Sequence, residues 1–319
     1  MGIHTRDLAA GDASDLAALM ARIEVDHPTG FCLGATEITE IMRDKHDAVF
    51  DGAFDGETLV AFTTLMPGAP QHGQQRFFLF GDVDPQRLRE GLGTLMLTRQ
   101  LERGRAIHAA TAPDVAAAYS GSALAGRADQ AGLFVSAGFE AGRHSFLMVA
   151  DLTTVPAPVP LPEDVTVEPF DPSRAEEVRL AHNTAFADNP DSSPVGAEFW
   201  TMFVVRSVHN RHHLSAVARD RSGAVVGYVL AHEYAVAPSG GPGPELHVPY
   251  VGTVPEHRGR GLATALLGHV LRLGHEAGYT TASLNVDTHN PTGALGIYER
   301  ACFVQVYRQD FYTLTEPPG

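Results

Sequence analysis

A short strand that leads through a glycine-rich turn into a helix constrains this chain more than any other feature. It occupies residues 251–263, with the sequence VGTVPEHRGRGLA. Gly259 and Gly261 let the backbone come close to a ligand, and the free amides at the start of the helix form an anion site that the helix dipole reinforces. Arg258 and Arg260 add positive charge. The segment predicts a cradle for a pyrophosphate group, although it has neither the Gly-Lys-Ser/Thr ending of a Walker loop nor the G-x-G-x-x-G pattern of a dinucleotide site.

A second motif lies at residues 290–303, NPTGALGIYERACF. With residues 258–263, RGRGLA, it resembles the GNAT superfamily of acyl-coenzyme A-dependent N-acyltransferases, whose cofactor motif is Q/R-x-x-G-x-G/A and whose later element is N-x-x-x-A-x-x-x-Y-E-x-x-G-F. Every specified position of the cofactor motif is matched, and Cys302 stands where the later element usually has glycine. The resemblance covers residues 165–315 well and residues 1–150 weakly.

The resemblance implies how acetyl-coenzyme A (acetyl-CoA) would bind. In GNAT proteins the sheet is splayed between its fourth and fifth strands, and the pantetheine arm lies in the gap. Pro249 agrees with such a gap, because proline cannot donate to a sheet ladder and is tolerated only at an edge or a bulge. The backbone near Val251, Gly252 and Thr253 would pair with the arm. The other cofactor-binding residues that the resemblance implies are Arg258, Gly259, Arg260, Gly261, Leu262, Ala263, Thr264 and Asn290.

Three side chains are candidates for the chemistry of acyl transfer, which needs a route for the amine proton and a donor for the leaving thiolate. Tyr298 matches the general acid of the family, and the alternative is a core tyrosine with a hydrogen-bonded hydroxyl. Glu245 and His247 lie two apart on a predicted strand, hence on one face, just before the cofactor motif. Either could be the base, or each could be an ordinary surface residue. Pro249 interrupts the alternation beyond them.

The acceptor pocket of GNAT enzymes forms in the region between their first helices, which corresponds here to residues 183–200. We expect Asp188 and Trp200 in this segment to contact the acceptor, and the alternative is a loop with an ordinary core. A histidine cluster follows, but it has no second ligand group at metal spacing, so it predicts a solvated turn and no metal site. The cluster comprises His209, His212 and His213.

The two halves of the chain repeat one another. Residues 155–162, VPAPVPLP, are rich in proline, which fixes an extended backbone and predicts a linker. Residues 133–139 resemble residues 297–303. Four further residues of the first half recur in the second half in the same order and with the same intervals between them. They are Pro85, Gly91, Leu92 and Thr94, which correspond to Pro255, Gly261, Leu262 and Thr264.

These features predict an α/β protein with two tandem GNAT-like domains, each a splayed mixed β-sheet flanked by helices. The predicted domains are a degenerate one at residues 1–152, a linker at 153–164 and a catalytic one at 165–319. In the first half, Leu88 and Glu90 occupy the positions of Arg258 and Arg260, and Phe134 that of the tyrosine. We expect this half to be catalytically silent, although its retained glycines leave room for residual cofactor binding.

Hydrophobic periodicity predicts the individual elements. Strands are expected at residues 216–218, 225–231, 245–254 and 282–286, helices at 262–277 and 292–300, and a final hairpin at 303–307 and 311–314. The opening helices of the two halves are expected at residues 13–23 and 174–187.

Charge and composition limit the partners. Lys+Arg number 23 against 38 Asp+Glu, and the net charge of −15 repels phosphate backbones and anionic membranes, so we expect no nucleic acid and no membrane partner. Two cysteines cannot form a disulfide framework. The first residues do not resemble a signal peptide, and no apolar run is long enough to span a bilayer. We expect a cytoplasmic protein, either a monomer or a homodimer.

The predicted function is transfer of an acetyl or other acyl group from acyl-CoA to the primary amine of a small molecule. Within this class, the alternatives are a longer acyl donor and a peptide or protein amine. The tandem arrangement is also similar to that of GNAT acetyltransferases of actinobacterial thiol biosynthesis. A non-catalytic protein that binds or senses coenzyme A is an alternative from another class, and the intact Arg258, Gly261 and Tyr298 favour catalysis over it.

Overall fold

The computed structural model describes residues 2–27, 33–44, 47–154, 157–189, 194–234, 237–241, 243–287 and 294–319. The chain divides into two compact units. The first contains Met1–His144 and Arg308–Gly319, and the second contains Ser145–Tyr307. Among the described residues, no helix has both the length and the apolar character needed to cross a bilayer.

Twelve strands and eight helices are found in the described residues. The strands are β1 (Ile3–Asp7), β2 (Val49–Asp55), β3 (Thr58–Pro67), β4 (Gln74–Val83), β5 (Ala116–Leu124), β6 (Glu140–Asp151), β7 (Val165–Pro169), β8 (Ala216–Asp220), β9 (Val225–His232), β10 (Glu245–Thr253), β11 (Thr281–Asp287) and β12 (Val304–Glu316). The helices are α1 (Ala13–Asp26), α2 (Ala35–Asp44), α3 (Leu92–Thr111), α4 (Ala128–Ser136), α5 (Ala175–Ala185), α6 (Ala197–Trp200), α7 (Leu262–Glu276) and α8 (Ala294–Arg300).

The two units share one topology. The strands of the first unit lie in the order β1-β2-β3-β4-β5-β12, and those of the second in the order β7-β8-β9-β10-β11-β6. In each order the fourth and fifth strands are parallel, and the other neighbours are antiparallel. The mixed α/β fold and the internal duplication predicted from the sequence are confirmed.

The predicted final hairpin is wrong. Residues 303–307 and 311–314 lie mostly within the single strand β12, whose residues 309–316 pair with residues 117–124 of β5. The intervening residues, RQD, contain no glycine or proline that would favour a tight reversal, so the strand continues.

In the second unit the equivalent position is filled by residues 145–151 of β6, which pair with residues 281–287 of β11. Each sheet therefore takes one strand from the other half of the sequence. As a result, the limits of the compact units differ from the ranges 1–152 and 165–319 predicted from the sequence.

Local sequence accounts well for α7, which was predicted at residues 262–277. It begins after Gly261 and ends before Gly278, and both glycines have positive φ, of 79° and 91°. Its inward face buries Leu266, Leu267 and Val270 completely against the sheet. Each such side chain contributes about 1.5–3 kcal/mol when it leaves water, so this face fixes the helix on the sheet.

The sheet of the second unit is splayed as predicted. The β10–β11 ladder ends at the pair Val248 and Leu284, whereas β10 continues to Thr253. On its other side, β10 pairs with β9 through a register shift between His247 and Tyr250, so the strand pairing is also irregular at Pro249, which cannot donate to a ladder. Past Val248, β10 thus has a strand partner on only one side within the described residues.

Candidate active site

The turn between β10 and α7 has the geometry of an anion site. Gly259 and Gly261 have φ of 72° and 79°, and a Cβ at either position would meet nothing within 4 Å. Glycine is therefore required by the left-handed backbone rather than by crowding. Gly261 has no side chain to cap the helix, so the first-turn amides of Leu262, Ala263 and Thr264 lie at the positive end of the helix dipole without a side-chain acceptor from the cap.

Arg258 contacts groups of the protein itself. Its Nη1 and Nη2 atoms lie 2.5 and 3.1 Å from the carboxylate oxygens of Asp188. Nη2 also donates to the carbonyl of Ala185 at 2.7 Å, and Nε donates to the carbonyl of Thr253 at 3.3 Å. Hydrogen bonds from Arg258 hold the pKa of Asp188 below its ordinary value. Asp188, which we expected on the acceptor side, therefore lies against the cofactor turn.

Arg260 is held more loosely than Arg258. Its Nη2 lies 2.5 Å from Oδ1 of Asp164, and its Nη1 lies 3.1 Å from Nδ1 of His257. Both partners of the ion pair are partly exposed to water, where such pairs are weak.

Tyr298 lies on α8 and is almost fully buried in the core on the α7 side of the sheet. Its ring meets Phe303 edge to face, with 6.2 Å between the centroids. Burial raises the pKa of Tyr298 to about 12, so the phenol is protonated at neutral pH. The pKa of Tyr228 on β9 is raised mainly by burial and further by Tyr250 and Tyr298, which places three phenols within electrostatic reach of one another. Asn290 of the same motif lies outside the described residues.

The bulge in β10 decides which side chains share a face of the sheet. His247 lies opposite His232 of β9, and Tyr250 lies opposite Leu230. The two β9 residues are two apart and share a face, so His247 and Tyr250 share it as well. Simple alternation would have put Tyr250 on the opposite face. Glu245, two residues before His247, completes this row.

Glu245 and His247 are both buried, so the alternative that they are surface residues is wrong. Ser239 donates to Glu245 from its hydroxyl and, at 3.3 Å, from its amide. Nδ1 of His247 lies 2.9 Å from the hydroxyl oxygen of Ser283 on β11. Burial lowers the pKa of His247 to about 4, so its imidazole is neutral at pH 7.

An aromatic cluster that the sequence did not predict covers the same face of the sheet. Nδ1 of His182 on α5 lies 2.6 Å from the hydroxyl oxygen of Tyr228. The ring centroid of His182 lies 4.8 Å from that of Phe186, 5.2 Å from that of Trp200 and 5.3 Å from that of Tyr250. Nε1 of Trp200 is buried and finds no hydrogen-bond partner in the described part of the chain. The sequence contained one signal for this cluster, since His182 falls on the inward face of α5. That placement alone does not distinguish it from an ordinary core residue.

The histidine cluster differs in part from the predicted solvated turn. His209 is buried, and its Nδ1 lies 3.0 Å from the carbonyl oxygen of Glu233. The ring of His212 packs on that of Phe170, with 5.0 Å between the centroids. Of the three histidines, only His213 is exposed. The reason is that this turn lies over the sheet rather than in solvent. Across the ranges that the structure describes, no group of His, Cys, Asp or Glu is arranged to hold a metal ion.

The first unit contains the same turn with different side chains. Gly91 precedes α3 and has φ of 83°. Nε of Arg87 donates to Oε2 of Glu90 at 2.8 Å. The β4–β5 ladder ends early here too, at Phe78 and Ser120.

Phe134 takes the place of the tyrosine and packs against Tyr312, with 5.3 Å between the ring centroids. On β4, the partly buried Asp82 forms an ion pair with the buried Arg127 past the end of the ladder. That this unit is catalytically silent stays a prediction.

A splayed sheet, a glycine anion turn and a buried phenol are features of an acyltransferase fold. The family profile of the acetyltransferase (GNAT) family matches residues 176–302. The chain is 31% identical to a mycothiol acetyltransferase of Thermobispora bispora over an alignment of 258 residues. The alignment covers 79% of each chain. The chain belongs to the GNAT acetyltransferase family.

Solved structures extend this likeness to the whole chain. A GCN5-related N-acetyltransferase from Sphaerobacter thermophilus matches with a TM-score of 0.73 and 24% identity, covering 99% of this chain and 96% of that one. A tandem GNAT protein from the clavulanic acid biosynthesis pathway matches with a TM-score of 0.72 and 18% identity over 100% of both chains. These likenesses show the tandem fold.

Proposed function

We propose that the second unit transfers an acetyl group from acetyl-CoA to the primary amine of a small molecule. The observation that carries this proposal is the gap beside β10. The β10–β11 ladder ends at Val248, and the unpaired part of β10 leads directly into the anion turn at Gly261. A ligand with an amide-bearing arm and a pyrophosphate fits a strand edge followed by an anion site.

The residues present fit such a ligand. The pyrophosphate would lie on the amides of residues 259–264, and Arg260 would exchange Asp164 for a phosphate oxygen. The amides of the pantetheine arm would pair with the backbone of Val251 and Thr253. The hydroxyl oxygen of Thr253 is buried without a partner among the described residues, as expected of a group that awaits a ligand. When bound, acetyl-CoA supplies the activated acyl group.

Tyr298 is the proposed donor to the leaving group. The amine nitrogen attacks the thioester carbon, the C–N bond forms, the C–S bond breaks, and a proton from the amine ends on sulfur. Because the pKa of Tyr298 is about 12 and that of a thiol is about 8.5, full transfer from the phenol is uphill. The phenol therefore acts chiefly by donating a hydrogen bond to sulfur as negative charge develops there.

Glu245 and His247 are the two proposed routes for the amine proton. Both lie on the face that carries Tyr250, and β10 carries this face to the gap. Comparing Glu245→Gln with His247→Gln distinguishes them, because loss of a positioned base lowers turnover by roughly 10²-fold or more. If neither substitution lowers turnover, the base does not come from β10.

The acceptor side is uncharged and aromatic. His182, Trp200 and Tyr250 surround it, and burial keeps the imidazole neutral by lowering its pKa to about 4. Such a surface suits the apolar or ring faces of a small molecule better than a strongly charged peptide. The name of the Thermobispora bispora relative makes mycothiol lacking its acetyl group the first candidate acceptor.

A thiol-release assay tests the proposal. Purified protein is incubated with acetyl-CoA and a panel of primary amines that includes this candidate, amino sugars and peptide amines. Amine-dependent release of coenzyme A with formation of an amide is the expected result. Tight coenzyme A binding without turnover on any amine would instead support a binding or sensing protein.

A further inference from the structure

The guanidinium of Arg258 makes four hydrogen bonds within the second unit, with five N–H donors to offer. Asp188 takes two of its hydrogen bonds, and the carbonyls of Ala185 and Thr253 take the others. These partners come from two different places in the fold. Ala185 ends α5 and Asp188 follows it, whereas Thr253 ends β10. One side chain of the cofactor turn therefore joins a strand end to a helix end.

The geometry of this contact is favourable for a cation. The last carbonyls of a helix have no partner within the helix and carry the negative end of its dipole, where an arginine is stabilising. The two contacts with Asp188 use the planar fork of arginine, which matches a carboxylate. Helix α5 also carries His182 of the aromatic cluster, so the contact links the acceptor side to the cofactor turn.

The first unit makes the same connection with the charges exchanged. Helix α1 follows the first strand of its unit, as α5 does in the second. Arg22 on α1 donates to Asp84 from Nε at 3.0 Å and from Nη2 at 2.9 Å. Asp84 precedes Pro85, the counterpart of Pro255. Here the helix supplies the arginine and the turn supplies the carboxylate.

The first unit has lost the side chain that would attract phosphate, since Leu88 stands in the place of Arg258. The ion pair between helix and turn is nevertheless present. The arginine lies on the helix in one unit and on the turn in the other, and an ion pair forms in both. This indicates that the ion pair holds the turn in position and does not serve to bind phosphate.

We infer that Arg258 is a positioning residue, which together with Asp188 clasps α5 to the cofactor turn and so sets the turn amides for pyrophosphate. This inference rests on the proposed function. It departs from the role of direct phosphate ligand that the sequence motif implies for Arg258. The phosphate contacts then belong to the backbone of residues 259–264 and to Arg260.

The sign of one substitution separates the two roles. If Arg258 binds phosphate directly, Asp188 competes with the ligand, and Asp188→Asn tightens coenzyme A binding. If the pair is a clasp, the same substitution loosens the turn and weakens binding. We expect a loss of about 3- to 10-fold in affinity for coenzyme A, the usual effect of losing a charge-assisted hydrogen bond at a half-exposed pair.

Asp164→Asn is the matched control. It removes the same charge from the neighbouring arginine of the same turn, and it should leave affinity unchanged or raise it. Arg258→Leu introduces the residue of the first unit and should lose at least as much affinity as Asp188→Asn, because it also removes the contacts with the carbonyls of Ala185 and Thr253. The double variant should lose no more than Arg258→Leu alone, and Asp188→Glu should retain most of the affinity.

Calorimetry with coenzyme A, with melting temperatures from the same preparations, decides the question. Wild-type protein that fails to bind coenzyme A would overturn the proposed function itself. Wild-type binding combined with unchanged or tighter binding by Asp188→Asn would overturn only the clasp. Losses for Asp188→Asn and Arg258→Leu that add up in the double variant would also overturn it, since the two residues would then act independently.

Discussion

Nδ1 of His182 on α5 lies 2.6 Å from the hydroxyl oxygen of Tyr228 on β9, and both side chains are buried. Burial lowers the pKa of His182 to about 4 and raises that of Tyr228, so both hydrogen-bonded side chains are neutral at pH 7. The ring of Tyr228 in turn lies beneath Gly252, where a Cβ would come within 2.4 Å of it. This contact fixes the strand segment that borders the gap.

Protonation of buried histidines should make the protein sensitive to acid. The unfolded chain takes up protons on His182 and His247 near pH 6.5, whereas the folded protein does so only near pH 4. The unfolded state binds more protons in this window, so the free energy of unfolding falls as the pH is lowered from about 6.5 to about 4, by roughly 3 kcal/mol for each histidine. Urea unfolding at a series of pH values measures the slope.

His182→Gln should reduce this slope, because it removes one of these two buried imidazoles. A free energy of unfolding that stays constant between pH 6.5 and 4 would show that these imidazoles do not titrate as expected.

Removal of the Tyr298 hydroxyl should affect turnover and not folding. Tyr298→Phe keeps the ring in its contact with Phe303, and turnover should fall by roughly 10²- to 10⁴-fold while coenzyme A affinity is retained. Tyr119→Phe is the matched control, because burial raises the pKa of that first-unit phenol to about 12 as well. Should Tyr298→Phe instead lose about 1–2 kcal/mol of stability at normal turnover, Tyr298 would be structural.

The two equivalent helix-start glycines test which unit carries the activity. Gly261→Asp places a carboxylate at the anion site and should abolish coenzyme A binding and turnover. Gly91→Asp introduces the same strain, since the two φ values are 79° and 83°, but turnover should remain nearly intact. Calorimetry and the thiol-release assay on both variants give the comparison. Loss of activity in folded Gly91→Asp protein would make the first unit a working site.

Cys302 occupies a left-handed backbone position at the end of α8, with φ of 63°, where the family usually has glycine. Its side chain is exposed, so little packing is lost when it is removed. Cys302→Gly should raise the free energy of unfolding by about 0.5–1 kcal/mol, because relief of the backbone strain exceeds the entropy that glycine adds to the unfolded chain. Urea unfolding measures the change. Ala301→Gly, at a residue without positive φ, should do the opposite, and equal signs for the two variants would contradict the explanation.

Each sheet takes one strand from the other half of the sequence, and this predicts which fragment of the chain folds by itself. A fragment of residues 165–319 loses the partner of β11, together with the buried Met148 and Ala150, and leaves the end of β12 unpaired. It should aggregate or remain unfolded, whereas residues 145–307 should give a monomeric, folded unit. Circular dichroism and size-exclusion chromatography compare the two. A well-folded 165–319 fragment would show that the β6 strand is dispensable.

The sequence by itself determined the family motif, the glycine turn and the extent of α7. These features are local, because a positive φ, a helix start and a helical apolar period are each encoded within a few neighbouring residues. Gly261 and its turn were therefore found at the predicted place. Pro249 likewise agreed with the gap beside β10, since a missing amide affects the ladder wherever the strand pairs.

Only the tertiary structure decided which distant residues meet. Asp188 was expected at the acceptor and lies on Arg258, His182 reaches Tyr228, and the last strand of the chain joins the first unit. Each of these contacts joins elements far apart in sequence, and the side chains involved look locally like any loop carboxylate, core histidine or edge strand. Their partners follow from the order of strands in the two sheets and from the bulge in β10, which no local pattern specifies.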